Sequence, residues 1–196
     1  MVAYLYGPVH GFMLWNLSLA AVPAVLALVL FAIPQHRGVC WWVGLATWLL
    51  FLPNAPYVLT DVVHMIHDIQ RSHTDRWSYV VIATYGVLFA CGLASYALSL
   101  DLFRRYLHRT VASQLVVPTI LSVHALCVVA MYLGRVVRLN SWDALIAPRE
   151  VVAAVLRVPR PATVGVIGMM FVVVGAGVFA TVAVGHKLVA QARCRA

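Results

Sequence analysis

Apolar residues run in five blocks, at positions 11–33, 39–60, 77–100, 114–133 and 162–185, and short stretches between them hold most of the charge. Blocks of about 20 residues are long enough to cross roughly 30 Å of hydrocarbon as helices, and a helix satisfies its own backbone polar groups in lipid. The pattern therefore predicts an all-α membrane protein, a bundle of about five transmembrane helices. Trp15, Trp41, Trp42, Trp77 and Tyr79 fall near the block starts, where amphipathic rings anchor to the membrane surface. Pro23, Pro53, Pro56 and Pro118 lie inside blocks and predict kinks, with neighbouring helices satisfying the freed carbonyls. Positions 142–160 are too interrupted to span. There Pro148 opens a short helix with Val151, Val152, Val155 and Leu156 on one side and Arg149, Glu150 and Arg157 polar. An interfacial amphipathic segment is the expectation. No repeat of 20 to 50 residues breaks up the chain, which reads as a single domain over 1–196.

Composition sharpens this reading. The chain is 63% hydrophobic and 10% charged, with a mean hydropathy of +0.92, against roughly 45 to 50% apolar in soluble domains. A soluble globular enzyme and a disordered tail are both excluded. The formal charge of +8 sits between the apolar blocks, where basic loops set orientation and meet anionic head groups; no nucleic-acid partner is expected. Basic residues divide evenly between the two sides. The uncharged leader Met1–Val9, followed by Arg37, favours an N-terminus outside, and the first block is too long for a signal-peptide core. Cys40, Cys91, Cys127 and Cys194 form no CxxC pair and read as small hydrophobes. Gly86, Ala90 and Ala94, and likewise Gly177, Thr181 and Gly185, predict close helix contacts through small residues every fourth position.

One polar constellation stands apart. Pro53-Asn54-Ala55-Pro56-Tyr57 is followed by Thr60-Asp61-Val62-Val63-His64-Met65-Ile66-His67-Asp68. At 100° per residue Asp61, His64, His67, Asp68 and Arg71 form one stripe, with Val62, Ile66 and Ile69 opposite, so the segment predicts an amphipathic continuation of the second helix. Carboxylate and neutral imidazole are ligands for divalent metals. Asp61, His64 and Asp68 are the candidate metal set, with His67 at its margin and a divalent metal as candidate cofactor. Asp61 and His64 could instead move a proton as catalytic groups without metal. A wet helix face with ordinary ion pairs is the third reading, since no HExxH is present.

A second polar segment, Tyr132-Leu133-Gly134-Arg135-Val136-Val137-Arg138-Leu139-Asn140-Ser141-Trp142-Asp143, closes the fourth block. Arg135 and Arg138 are one turn apart and can face one neighbour. The ends of the second and fourth blocks emerge on the same membrane side whatever the orientation, so the two segments can meet. The arginines then neutralise Asp61 and Asp68, hold a phosphate or carboxylate by bidentate hydrogen bonds, or do both. His124 lies mid-block, where an ionisable residue is a functional candidate by default; with Ser122 nearby, a neutral hydrogen-bonded histidine is the simpler reading. Asn16 and Asn54 are expected to hydrogen-bond between helices. Asp101, His108 and the arginines near them read as loop charge on the opposite face, and His10, His36, His73 and His186 as solvated.

These two motifs, Phe51 to His64 and Tyr132 to Asp143, resemble those of the bacterial family catalogued as domain of unknown function 1361, over nearly the whole chain. The resemblance implies a bacterial cytoplasmic (inner) membrane location and marks Asn54, Asp61, His64, Arg135, Arg138, Asn140 and Asp143; it does not mark His67 or His124, and it implies no substrate. The leading expectation is a polar pocket at one membrane boundary, with Asp61 and His64 handling a proton or metal. Asn54, Arg135, Arg138, Asn140 and Asp143 would bind an amphiphilic or anionic small molecule. The alternatives are a non-catalytic partner subunit or assembly factor, and a small transporter or proton path.

Overall fold

The structure is a computed structural model and describes residues 8–33, 37–72, 74–139, 143–157 and 160–193. Almost all of these are helical: α1 (Pro8–Ala27), α2 (Val39–Phe51), α3 (Asn54–Tyr57), α4 (Val62–Arg71), α5 (Asp75–Thr110), α6 (Ser113–Tyr132), α7 (Asp143–Ile146), α8 (Pro148–Leu156) and α9 (Pro161–Arg193). Among the described residues five helical rods are long and apolar enough to cross a membrane, at Met13–Ala32, Val39–Arg71, Asp75–Thr110, Ser113–Val137 and Pro161–Gly185. They match the five apolar blocks, and the chain is a membrane protein of all-α architecture.

Several rods run on past their apolar blocks, α9 by eight residues. α5 runs ten residues past the end of its apolar block. Asp101, expected in a loop, sits on this extension with Arg104 and Arg105 at 2.9 and 2.6 Å. Pairs at i, i+3 and i, i+4 support a helix in water, so the polar turns continue instead of fraying. The second rod continues through α4, as the stripe of polar residues predicts.

α5 is the hub of the bundle and packs against α1, α3, α4, α6 and α9. The row expected on α5 itself makes none of its tight contacts, whereas Gly177 of the row expected on α9 does: a Cβ there would stand 2.9 Å from the Leu93 side chain of α5. Gly86, Ala90 and Ala94 are exposed, and a Cβ at Gly86 would meet nothing within 4 Å; Gly185 is equally open. Gly92, half a turn out of that register and so on the opposite face, is buried and lies where a Cβ would stand 2.5 Å from the Ala55 carbonyl oxygen. α3 therefore crosses α5 at backbone distance. A row at every fourth residue marks a helix face but not which face is covered, and lipid accepts small residues as readily as a neighbouring helix does.

The end of the bundle away from α3 is filled with aromatic rings. Phe31 meets Trp48 edge-on at 5.0 Å between centroids and Phe103 at 5.1 Å, and the Arg37 guanidinium lies 5.4 Å from the Tyr106 ring. In the middle, His124 of α6 is buried, with Nδ1 2.9 Å from the Tyr96 hydroxyl and Nε2 3.1 Å from the Phe171 carbonyl. A carbonyl only accepts, so Nε2 carries the hydrogen and Nδ1 accepts from Tyr96. His124 thus ties α5, α6 and α9 together. Replacing it with Phe should destabilise the bundle by about 1 to 3 kcal/mol, the cost of leaving a buried hydroxyl unpaired. Tyr96→Phe in that background should recover part of this loss, as thermal unfolding in detergent would show; no recovery would mean that the two side chains do not act as a pair.

Candidate functional site

The second rod is interrupted where the site begins. Pro53 and Pro56 carry no N–H, and the sequence predicts a kink; the structure shows a longer interruption. α2 ends at Phe51, α3 lasts four residues, and a 3₁₀ turn over Val58–Asp61 precedes α4. Leu52, Pro53, Tyr57 and Val58 all keep right-handed helical angles, so the rod goes on while its rotation changes. The Asn54 amide donates to the Phe51 carbonyl at 3.1 Å, because the Ala55 N–H has turned to Leu52. Asn54 thus repairs the break from within its own rod.

Asp61 closes the 3₁₀ turn and faces into the bundle, on the side of the rod that Met65 and Asp68 continue one and two turns further on, while His64, His67 and Arg71 stay exposed. Asp61 is fully buried. Asn16 of α1 donates to its Oδ2 at 2.9 Å. Its Oδ1 accepts no hydrogen bond among the described groups and lies 3.7 Å from Nη1 of Arg135. The two polar segments therefore meet, and Asn16, expected from sequence to hydrogen-bond between helices, does so here as the third member of the cluster. His64 remains at the surface of α4 and, with Arg135, is an electrostatic neighbour of the Asp61 carboxylate.

Asp68 does not join them. Its Oδ2 accepts from the Tyr85 hydroxyl of α5 at 2.9 Å, and α4 packs along α5 with Met65 and Asp68 toward it while Val62, Val63 and Ile66 stay exposed. The candidate metal set Asp61, His64 and Asp68 is thus taken apart. Among the described residues no group of three or more His, Cys, Asp or Glu side chains is placed to hold a metal ion. The reason is distance along the rod: Asp68 lies seven residues, about 10 Å, beyond Asp61, where Tyr85 takes its carboxylate, and His64 points to the surface between them. His67 is exposed on α4 and lines no part of the cavity described next.

Arg135 sits in a π-helical turn, Leu133–Val137, that ends α6. π-turns widen a helix by one residue and often occur at functional sites. Here the turn closes on Arg138, whose N–H bonds back to the Leu133 carbonyl and whose backbone is left-handed at φ 64°, ψ 34°. For a long non-glycine side chain this is an uncommon conformation that costs on the order of 1 kcal/mol. Gly134 leaves room for the Tyr57 ring, which would stand 3.3 Å from an added Cβ.

Together these elements enclose a cavity of about 700 Å³, within the range of small-molecule sites. Its polar wall holds Asn16, Asn54, His64, Arg135 and Arg138; its apolar wall includes Trp15, Leu19, Leu50, Phe51 and Ala130. Asp143 opens α7, half-buried and outside this lining. Asn140 lies outside the described residues. Tyr57 and Val151 also line the cavity and were not singled out from sequence; the NAPY turn and the Pro148-initiated helix were the signals that could have found them.

No curated protein and no solved structure matches the chain. A family model does, over residues 15–176, an interval that contains both motifs and the cavity-lining positions from Trp15 to Val151. The chain belongs to the family described as "Protein of unknown function (DUF1361)".

Proposed function

We propose that this membrane protein binds, and acts on, an amphiphilic anion in the cavity between its two polar motifs. The observation that carries this reading is an imbalance of charge. The cavity wall has two guanidinium groups, Arg135 and Arg138. Asp61 offsets only Arg135; among the described residues no acidic group pairs with Arg138. A phosphate or carboxylate entering between them supplies the missing charge, and a guanidinium fork matches both anions bidentately. The apolar wall below takes the hydrophobic part of such a ligand. His64, beside the anion site, is a side chain that can accept a proton from the ligand or donate one to it. Asp61 acts from behind, fixing Arg135.

The test uses Arg138→Gly. Glycine adopts the left-handed conformation freely, so this variant should fold with stability equal to or up to about 1 kcal/mol above the parent. Binding of hexyl phosphate, followed by calorimetry or by thermal stabilisation in a neutral detergent, should weaken roughly 30-fold, as expected for the loss of one charge-assisted contact worth about 2 kcal/mol. Equal affinity in parent and variant, or no binding to the parent, would dispose of the proposal.

A further inference from the structure

The cavity extends beyond its polar end. α1 enters the site at Trp15 and Asn16 and reaches Leu19 one turn deeper. α2 rises from Leu50 to the break at Pro53, and α6 rises from Ala130 to Arg135. At 1.5 Å per residue, Leu19, Leu50 and Ala130 each lie about 5 to 8 Å from the polar residues of their own rods, all toward the middle of the bundle. This apolar end is a groove, because the three side chains are only half-buried and Trp15 is 60% exposed. No described residue of the central helix α5 or of α9 lines the cavity, so it lies at the periphery. α1 and α6, its two walls, each pack on α3 and α5.

A groove at the periphery of a transmembrane bundle opens into hydrocarbon, and its deep end carries no charge. The end toward water holds the arginines. We infer that the ligand is a membrane lipid with an anionic phosphate head group, entering sideways from the bilayer, its phosphate between Arg135 and Arg138 and the start of its tail against Leu19, Leu50 and Ala130. This rests on the anion reading above and goes further, since a soluble organic phosphate arriving from water has the same head-group chemistry and no use for the groove. Charge complementarity commits the groove to that occupant: a zwitterionic lipid brings no net charge to offset Arg138.

The experiment places the full chain in nanodiscs of phosphatidylcholine doped with phosphatidic acid that carries a photoreactive diazirine near the head of its tail. Peptide mapping after illumination should find label on Leu19, Leu50 and Ala130 several-fold above Val172 and Phe179, which are exposed on α9 and report ordinary lipid contact. Excess unlabelled phosphatidic acid should remove the enrichment, whereas excess phosphatidylcholine should not. Arg138→Gly should lower it to the α9 level, and so should Ala130→Trp or Leu50→Trp, which fill the groove. Uniform label on the parent protein, with hexyl phosphate still bound, would overturn the lipid inference and leave the anion site standing with a ligand from water. Uniform label together with no hexyl phosphate binding would remove both. Enrichment that phosphatidylcholine competes away equally would show a groove without head-group selection and overturn the inference as well.

Discussion

Gly92→Ala should destabilise this protein more than a glycine-to-alanine change at any other described glycine. The added methyl would stand 2.5 Å from the Ala55 carbonyl oxygen and inside the Val58 side chain. Val58 is fully buried, so neither neighbour can swing away as the tip of a flexible side chain would. Either α5 retreats from α3 or the Pro53–Asp61 segment shifts, and overpacking of this kind costs about 1 to 3 kcal/mol, occasionally more. The same segment carries Asn54 and Asp61, so the shift reaches the site. Thermal unfolding in detergent should show a clear fall in Tm for Gly92→Ala, with weakened hexyl phosphate binding. Gly86→Ala is the control: its Cβ would meet nothing within 4 Å, and alanine favours the helix by roughly 0.5 to 1 kcal/mol. Matching melting curves for the two variants would refute the close crossing of α3 and α5.

The second large effect is expected at Asp61 and Arg135. The Asp61 carboxylate is wholly buried while the Arg135 side chain keeps 29% of its exposure, so the two ends of the pair respond differently to loss of the other. Asp61→Ala leaves the Asn16 amide without its acceptor, while Arg135 can still turn toward the cavity and water. Arg135→Ala leaves a buried carboxylate whose remaining hydrogen bond, from Asn16, carries no charge. Breaking a fully buried pair costs about 3 to 5 kcal/mol; the partial exposure of Arg135 places the expectation near the lower end of that range, with Arg135→Ala the more damaging. The double variant should be less unstable than the two single losses added together, by about 1 to 3 kcal/mol of coupling. Additive losses in the double-variant cycle would mean that 3.7 Å marks proximity and no interaction. Asn16→Leu extends the test to the third member: it should destabilise by about 1 kcal/mol or more through the orphaned Oδ2, and this cost should vanish once Asp61 is already replaced by Ala.

Much of this architecture is legible in the chain itself. Five apolar blocks become five rods because the energetics of backbone polar groups in hydrocarbon leave helices as the workable form for a segment of this length. The parity argument is equally strong: the second and fourth rods must end on the same side, which allows the contact that Arg135 makes with Asp61. Pro148 opens α8 as its missing N–H allows.

What was misread depends on position in three dimensions. Asp68 faces Tyr85 and not the cavity because it lies two turns along the rod from Asp61, where α4 packs on α5. Gly92, not Gly86, makes the close crossing because hydropathy and spacing do not distinguish a face covered by protein from one covered by lipid. Asn16 carries no local sign of its partner, which lies 45 residues away. The left-handed backbone at Arg138 is invisible to a pattern that expects glycine there.

Length, hydropathy and chain parity alone thus determined the class of protein, the number of crossings and the end of the bundle at which the two polar motifs gather. These follow from local free energies and from connectivity, which are written in one dimension. The tertiary structure decided which carboxylate is buried against Arg135, which histidine lines the cavity and which arginine has no acidic partner among the described residues. Each of those outcomes turns on a few tens of degrees of helix rotation and a few ångströms of approach, set by side chains far apart in the chain.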